Sequence, residues 1–509
     1  METSSPATTD PPPPLALAGT SIPVAVSQCS APSPAPARPP ASSGTWPYSR
    51  LGFNYASPIA TGWALESASR GPHIMSNIFV AKALLDYATA EAGCDPLAAV
   101  PCSRRVHGFL PSSLLTNMVL VSGLLCAAIM PLVGSIVDHT PYRRALGRAS
   151  WAGIMAVHAT LLFANPSNWL SMAGVQVFGR VVDLTHLIIT YAYLPEITDD
   201  PTELSRLSSS FNVKQYVTSA LFLGSVGAAA AALKLGSGGT VVLSQSVVLV
   251  VTFLLMGAAW ATDLFPPRPA LSAVPPGSRL VCAGFRRLWR TILKIFTTYR
   301  PLRWMIVTLV LAEAASNTFT QVAITYTSQV LGMDGTDVSA MIFVLLLATV
   351  PGSAFMAYFS EKTDPAWSYQ ASLAFFGTVT IAASMLLHGP DDVGLCYLFA
   401  VAWGFGFGWM HPAGRTLYAT IIPVGQETEM MGIYTFSGQV LLFAPPLLFS
   451  YLNEAGYPMS FGLGSLGMFF FAAAMCAGAM GSFEEAQVAV GRGKASVEGV
   501  EVEGGEARE

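Results

Sequence analysis

The chain has 509 residues, of which 52% are hydrophobic and only 11% charged, with a formal net charge of −4. Soluble domains carry about 25% charged residues, so the composition excludes an ordinary soluble globular protein. The near-neutral balance also gives no basic footprint for nucleic acid.

Residues 1–58 are rich in Pro, Ala and Ser, as in "TTDPPPPLALAG" and "SAPSPAPARPP". Such a segment cannot bury enough apolar surface to fold alone and is read as a disordered tail. It lacks the basic start and clean apolar core of a signal peptide. Apolar runs then recur at approximately 59–83, 112–136, 146–164, 169–194, 209–233, 240–262, 304–329, 338–360, 369–388, 394–414, 430–452 and 460–482. Each is long enough to cross ~30 Å of hydrocarbon. Each is also continuous rather than alternating, which predicts helices rather than barrel strands. The expected fold is an all-α polytopic membrane protein with twelve transmembrane helices. Eight Lys or Arg residues lie between Arg268 and Arg303, whereas the loops after odd-numbered spans hold only Arg104, Arg105 and Lys234. By the positive-inside tendency the even loops and both termini face the cytosol.

The longest loop, 263–303, separates an N-terminal half (59–262) from a C-terminal half (304–483), and 484–509 reads as a second polar tail. Within the loop, "FRRLWRTILKIF" puts Phe285, Leu288, Trp289, Ile292 and Phe296 on one helical face. Arg286, Arg287, Arg290 and Lys294 fill the rest, the pattern of a helix lying on an anionic leaflet. "ALESASR" in the first span and "LAEAASN" in the seventh occupy equivalent places, which favours two six-helix repeats related along the membrane normal. The cysteines form no CxxC pair and no zinc spacing, so no metal or other cofactor is expected. Cys94 and Cys102 share a non-cytosolic loop, where a disulfide and two independent thiols are both open readings.

After the second span comes "PLVGSIVDHTPYRRAL". Its Gly134, Asp138, Arg143 and Arg144 resemble the gating loop of the major facilitator superfamily, with the basic pair one residue late. Gly134 is expected to let helices approach, and Asp138 with the arginines to form a charge-assisted latch; simple anchoring by the arginines is the competing role. Three further segments are similar to the vacuole effluxer family, the autophagy-related branch of that superfamily: "YLPEITDDPTELSRLSSSFNVKQY", "LRWMIVTLVLAEAASNTFTQVAI" and "GRTLYATIIPVGQETEMMGIYTFSGQVLLFAPPLLF". The resemblance covers most of 59–482. It implies a vacuolar membrane and export of amino acids released by autophagy. "GWALESASR" departs from the family pattern: Glu66 stands where an Asp is usual and Arg70 near an Asn, at positions where a transporter touches its solute.

Charged residues at a helix centre cost ~2.5–3.5 kcal/mol on insertion scales, and a pair of them reads either as a water-accessible pathway or as a purely structural lock. Arg180 and Asp183 share a face of the fourth span, and Glu66 and Arg70 a face of the first. Lys214 and Gln215 begin the fifth. Glu313, Asn317 and Gln321 make a polar stripe along the seventh, and His411 and Arg415 end the tenth. In the superfamily's fold, spans one, four, seven and ten line the cavity. The acids can hold an ammonium or carry a coupling proton; Arg70, Arg180 and Arg415 can hold a carboxylate. His158 reads as a lone packing histidine, and "GFGFG" as small residues for close helix contact. Pro412 is expected to kink the end of the tenth span. The residues point to a secondary transporter for a small amphiphilic solute. A nutrient receptor or scaffold on the same fold is the alternative, and a membrane enzyme finds no HExxH or GxSxG to support it.

Overall fold

The computed structural model describes residues 57–96, 98, 100–197, 201–270, 274, 280–422 and 427–490. All expected apolar runs fall on helices. The N-terminal half comprises α1 (Pro58–Glu91), α2 (Leu114–His139), α3 (Arg143–Leu161), α4 (Trp169–Tyr191) and α5 (Pro201–Ala232). Its last span is α6 (Ser237–Val251), which continues through a π turn at Thr252–Met256 into α7 (Gly257–Ala261). The linker forms α8 (Leu280–Thr298). The C-terminal half comprises α9 (Arg300–Gln329), α10 (Gly335–Lys362), α11 (Pro365–Leu386), α12 (Val393–Thr420), α13 (Glu427–Val440), α14 (Ala444–Glu454) and α15 (Met459–Gly478). Eight of these segments are long and apolar enough to cross a membrane by length and composition. α1 and α9 are not among the eight, and both carry ionisable groups inside their apolar runs.

Local chemistry explains most boundaries. Ser57 caps α1 by accepting from Ala60 N (3.1 Å), and Pro58 takes the first helical position, where no N–H is needed. The single span expected over 430–452 is broken between Val440 and Ala444. Pro445 and Pro446 follow the break, where they lack N–H groups and disfavour helix in the residue before them. Pro412 lies inside α12, which runs on to Thr420. The expected tail 484–509 begins with a short helix, α16 (Phe483–Ala489). Ser482 and Glu485 cap it reciprocally and Ala486 is buried. The remainder of that segment and nearly all of 1–58 lie outside the described residues.

Small residues set the helix spacing. In "GFGFG", a Cβ added at Gly404 or Gly408 would stand 2.0 Å from Leu345 O or Thr349 O of α10, and one at Gly352 would stand 2.1 Å from Phe405 O. The backbones of α10 and α12 therefore interlock through glycines. Gly134 differs: a Cβ there would meet nothing within 4 Å, so close helix approach is not what it provides. α8 docks on α2, with Ser135 Oγ donating to Leu280 O (2.6 Å) and Gly284 pressed against Pro131 O. Phe285, Trp289, Leu293 and Phe296 are left exposed.

Candidate functional site

Asp183, buried on α4, is the hub of the N-terminal half. Its Oδ1 lies 3.2 Å from Arg70 Nη2 and 3.0 Å from His73 Nε2, both on α1, and its Oδ2 lies 3.2 Å from Arg180 Nη1. The pair expected from the fourth span is present, and Arg70 joins it. Arg70 is 4% exposed and its Nη1 has no partner among the described residues, whereas the Arg180 side chain is 36% exposed. Asp183 thus fixes one guanidinium in the protein interior and holds another at the wall of a cavity.

His158 is not a lone packing residue. Its Nε2 lies 2.7 Å from His73 Nδ1, and its Nδ1 lies 2.6 Å from Gln245 Oε1 on α6. The resulting chain runs Gln245–His158–His73–Asp183 and crosses α6, α3, α1 and α4. His73 and Gln245 had no distinguishing mark in the sequence beyond being polar within apolar runs.

The cavity, about 260 Å³, lies between the halves. The N-terminal half lines it with His73, His158, Gln176, Arg180 and Asp183; α9 lines it with Asn317 and Gln321. Leu442, in the break between α13 and α14, also faces it. Gln176 Oε1 is buried there without a partner among the described residues. The wall therefore offers a charged donor, an unused acceptor and neutral amides. Glu313 is on the same stripe but outside the cavity wall. It lies 3.5 Å from His411, and both are about a quarter exposed. Arg415 hydrogen-bonds Tyr434 nearby. Asn317 Nδ2 donates to Glu313 O (2.8 Å).

Glu66 also stands apart from the cavity. Fully buried, it meets His186 Nε2 (3.0 Å) and Trp260 Nε1 (3.1 Å). His186 Nδ1 faces Ser150 Oγ (2.8 Å), whose own hydrogen goes to Gly147 O (2.9 Å). His186 is therefore held between Glu66 and Ser150, one on each ring nitrogen. Gly147 makes room for it, because a Cβ would sit 1.9 Å from the Trp260 ring. Lys214 bonds Ser210 on its own helix.

The arginines of the gating loop find carboxylates that sequence reading did not assign to them. Arg143, buried, pairs with Glu196 of "YLPEI" (2.5 Å), which also takes Arg268 Nε (2.7 Å). Arg144 pairs with Asp263 (2.5 Å). Asp138 occupies the last turn of α2.

At the opposite end, Cys94 and Cys102 form a disulfide. There the halves are joined by polar contacts. Thr116 Oγ1 meets Ser450 Oγ (2.7 Å), and Asn453 Nδ2 donates to Ser112 and Ser113 (both 2.7 Å). Cys102 N donates to Gln329 Oε1 (3.3 Å), while Gln329 Nε2 donates to Thr89 (3.0 Å). Arg105 pairs with Glu454 (2.5 Å). These contacts hold the two halves together at this end, while Arg180, Glu313 and His411 stay partly exposed.

The family model described as "Vacuole effluxer Atg22 like" matches residues 58–482. Autophagy-related protein 22 of Cryptococcus neoformans var. neoformans serotype D (strain B-3501A) is 24% identical over 219 residues, 39% of this chain and 40% of that protein. The match thus spans well under two thirds of that relative. A peptide transporter POT has TM-score 0.55 and 13% identity over 86% of this chain and 95% of its own. The xylose transporter XylE from E. coli, inward open, has TM-score 0.53 and 12% identity over 81% and 95%. The nucleoside transporter NupG has TM-score 0.52 and 12% identity over 82% and 100%. At these identities the likeness shows the fold, which is that of major facilitator transporters.

Proposed function

The chain belongs to the vacuole effluxer family of multi-pass membrane transporters, and we propose that it moves amino acids, one molecule at a time, by alternating access. The observation that supports this most is the cavity between the halves. Its volume is below the ~300–1,000 Å³ typical of drug-sized pockets, which suits one small molecule rather than a peptide chain. Arg180 presents a guanidinium for two-point contact with a carboxylate. Gln176 Oε1 presents an acceptor for an ammonium, and the amides of Asn317 and Gln321 add contacts from the other half. Asn317 and Gln321 tie the solute to α9, so a bound molecule bridges the elements that must separate. The polar seal at the disulfide end and the part-exposed groups at mid-depth suit a state closed on one side.

By the charge asymmetry of the loops, the linker side is cytosolic and the disulfide side faces the lumen of a vacuole-like compartment. The Arg143–Glu196–Arg268 cluster at the linker side holds α3 to the segments after α4 and α7, and we read it as a latch that rearranges when that side closes. Reconstituted vesicles given a mixture of tritiated amino acids test the reading. Saturable flux is expected, with Arg180→Gln reducing it by about 10-fold or more, as for loss of one charge-assisted contact of ~1.5–3 kcal/mol. Saturable binding with no flux under any gradient would replace the transporter reading by that of a receptor.

A further inference from the structure

We propose that His73 and His158 together form a one-proton binding site, and that filling it strengthens the hold of Arg180 on a carboxylate in the cavity. This rests on the transport reading and adds the coupling ion to it.

Counting hydrogens on the chain shows why. Asp183 only accepts, so His73 Nε2, 3.0 Å away, must carry a hydrogen. The 2.7 Å between His73 Nδ1 and His158 Nε2 holds one hydrogen and no more. Gln245 Oε1 also only accepts, so His158 Nδ1 must carry another. That makes three hydrogens on two imidazoles, where a neutral pair has two. With the Gln245 amide turned this way, the chain accommodates the protonated pair. The neutral pair is equally well bonded if Gln245 turns its amide, so that Nε2 donates to His158 Nδ1. Gln245 Nε2 is buried with no partner among the described residues, so no other bond opposes the turn. The chain therefore has two fully bonded states that differ by one proton.

The direction of charge movement follows from the same geometry. His158 lies in the last turn of α3, toward the disulfide end. A proton added to its Nδ1 lets the shared hydrogen pass from His158 Nε2 to His73 Nδ1. The positive charge then rests on His73, against Asp183. The other charged groups facing the pair are Arg70 on α1 and Arg180 on α4. The Cys126 thiol of α2 lies within reach of Arg180 and Asp183, and what α9 contributes to the cavity is neutral: Ser316, Asn317, Thr320 and Gln321. Glu66, one turn along α1 from Arg70, is already paired with His186. With His73 charged, Asp183 has two buried cations and needs Arg180 less. Arg180 is then freer to meet a carboxylate in a more positive cavity. Proton and carboxylate favour each other's binding, as symport in one direction requires.

The test uses full-length protein with isotopically labelled histidine in nanodiscs, titrated by NMR without solute. His73→Gln and His158→Gln assign the two signals. Both rings are expected to change in one joint step. Adding the amino-acid mixture should raise the midpoint by roughly 0.7–2 pH units, the 5–150-fold range of linked sites. Independent steps for the two rings, or no step between about pH 4 and 9, overturn the site. If amino acids cross vesicles but leave the midpoint unmoved, the coupling is overturned while the transport reading survives. If no amino acid crosses, the transport reading fails and the solute-free titration alone decides the site.

Discussion

Replacing Asp183 by Leu removes the one acceptor shared by Arg70, His73 and Arg180. These partners do not suffer equally. Arg180 is 36% exposed at the cavity wall and can turn to water, so losing its partner costs about 0–1 kcal/mol, as at a surface pair. Arg70 is 4% exposed and already has one unpartnered nitrogen, so it is left as a buried uncompensated charge. Removing one partner of such a pair costs ~3–5 kcal/mol. Asp183→Leu should therefore destabilise by about that amount. Adding Arg180→Met should recover almost none of it. Adding Arg70→Met instead should recover most of it, since the remaining buried partner, His73, can become neutral. The assay is denaturant unfolding of the purified variants in detergent micelles, followed by tryptophan fluorescence. Full recovery in the Arg180→Met double variant, with none in the Arg70→Met one, would refute the division of roles within the cluster.

Glu196→Gln strips a carboxylate from both Arg143 and Arg268, so it should slow vesicle flux at least ~10-fold at matched expression, more than Asp138→Asn; equal rates for Glu196→Gln and the unmodified protein would remove the latch. Gly408→Leu puts side-chain atoms where Thr349 O stands 2.0 Å from a Cβ, and should abolish recovery of folded protein, whereas Gly134→Ala, with open space above it, should change thermal stability little. Cysteine labelling in whole vacuoles should place both tails and the 263–303 loop on the cytosolic face; labelling of that loop from the lumen would reverse the topology.

Much of the fold was legible because a bilayer imposes a simple rule on sequence. Segments that cross it must be apolar, about 20 residues long and internally hydrogen-bonded. The breaks inside spans were less legible. Pro412 is accommodated within α12 while Pro445 and Pro446 follow a break, and tertiary packing decides between those outcomes. For the site, the i, i+3 spacing of Arg180 and Asp183 was sufficient to pair them. Arg70 was paired with Glu66 on one helix face, yet each found its partner on α4, because interhelical geometry is not written in spacing. His158 was read as solitary because His73 and Gln245 are 85 and 87 residues away in the chain. A search for polar residues at matching depth on adjacent spans would have found the relay. Glu196 and Asp263, which pair with Arg143 and Arg144, lie on other loops brought close only by the fold, so the motif could not name them.

The claim at the centre is that solute passes because the two halves separate at the disulfide end. Thr116 and Ser450 sit across that seal with 2.7 Å between their oxygens, close enough for a Thr116→Cys, Ser450→Cys pair to be joined by a disulfide. Amino-acid flux through vesicles containing this variant is measured oxidised and then reduced, with Thr116→Cys alone controlling for reduction of Cys94–Cys102. Alternating access predicts that cross-linking stops flux while binding persists, and that reduction restores it. Undiminished flux through a fully cross-linked protein would contradict it.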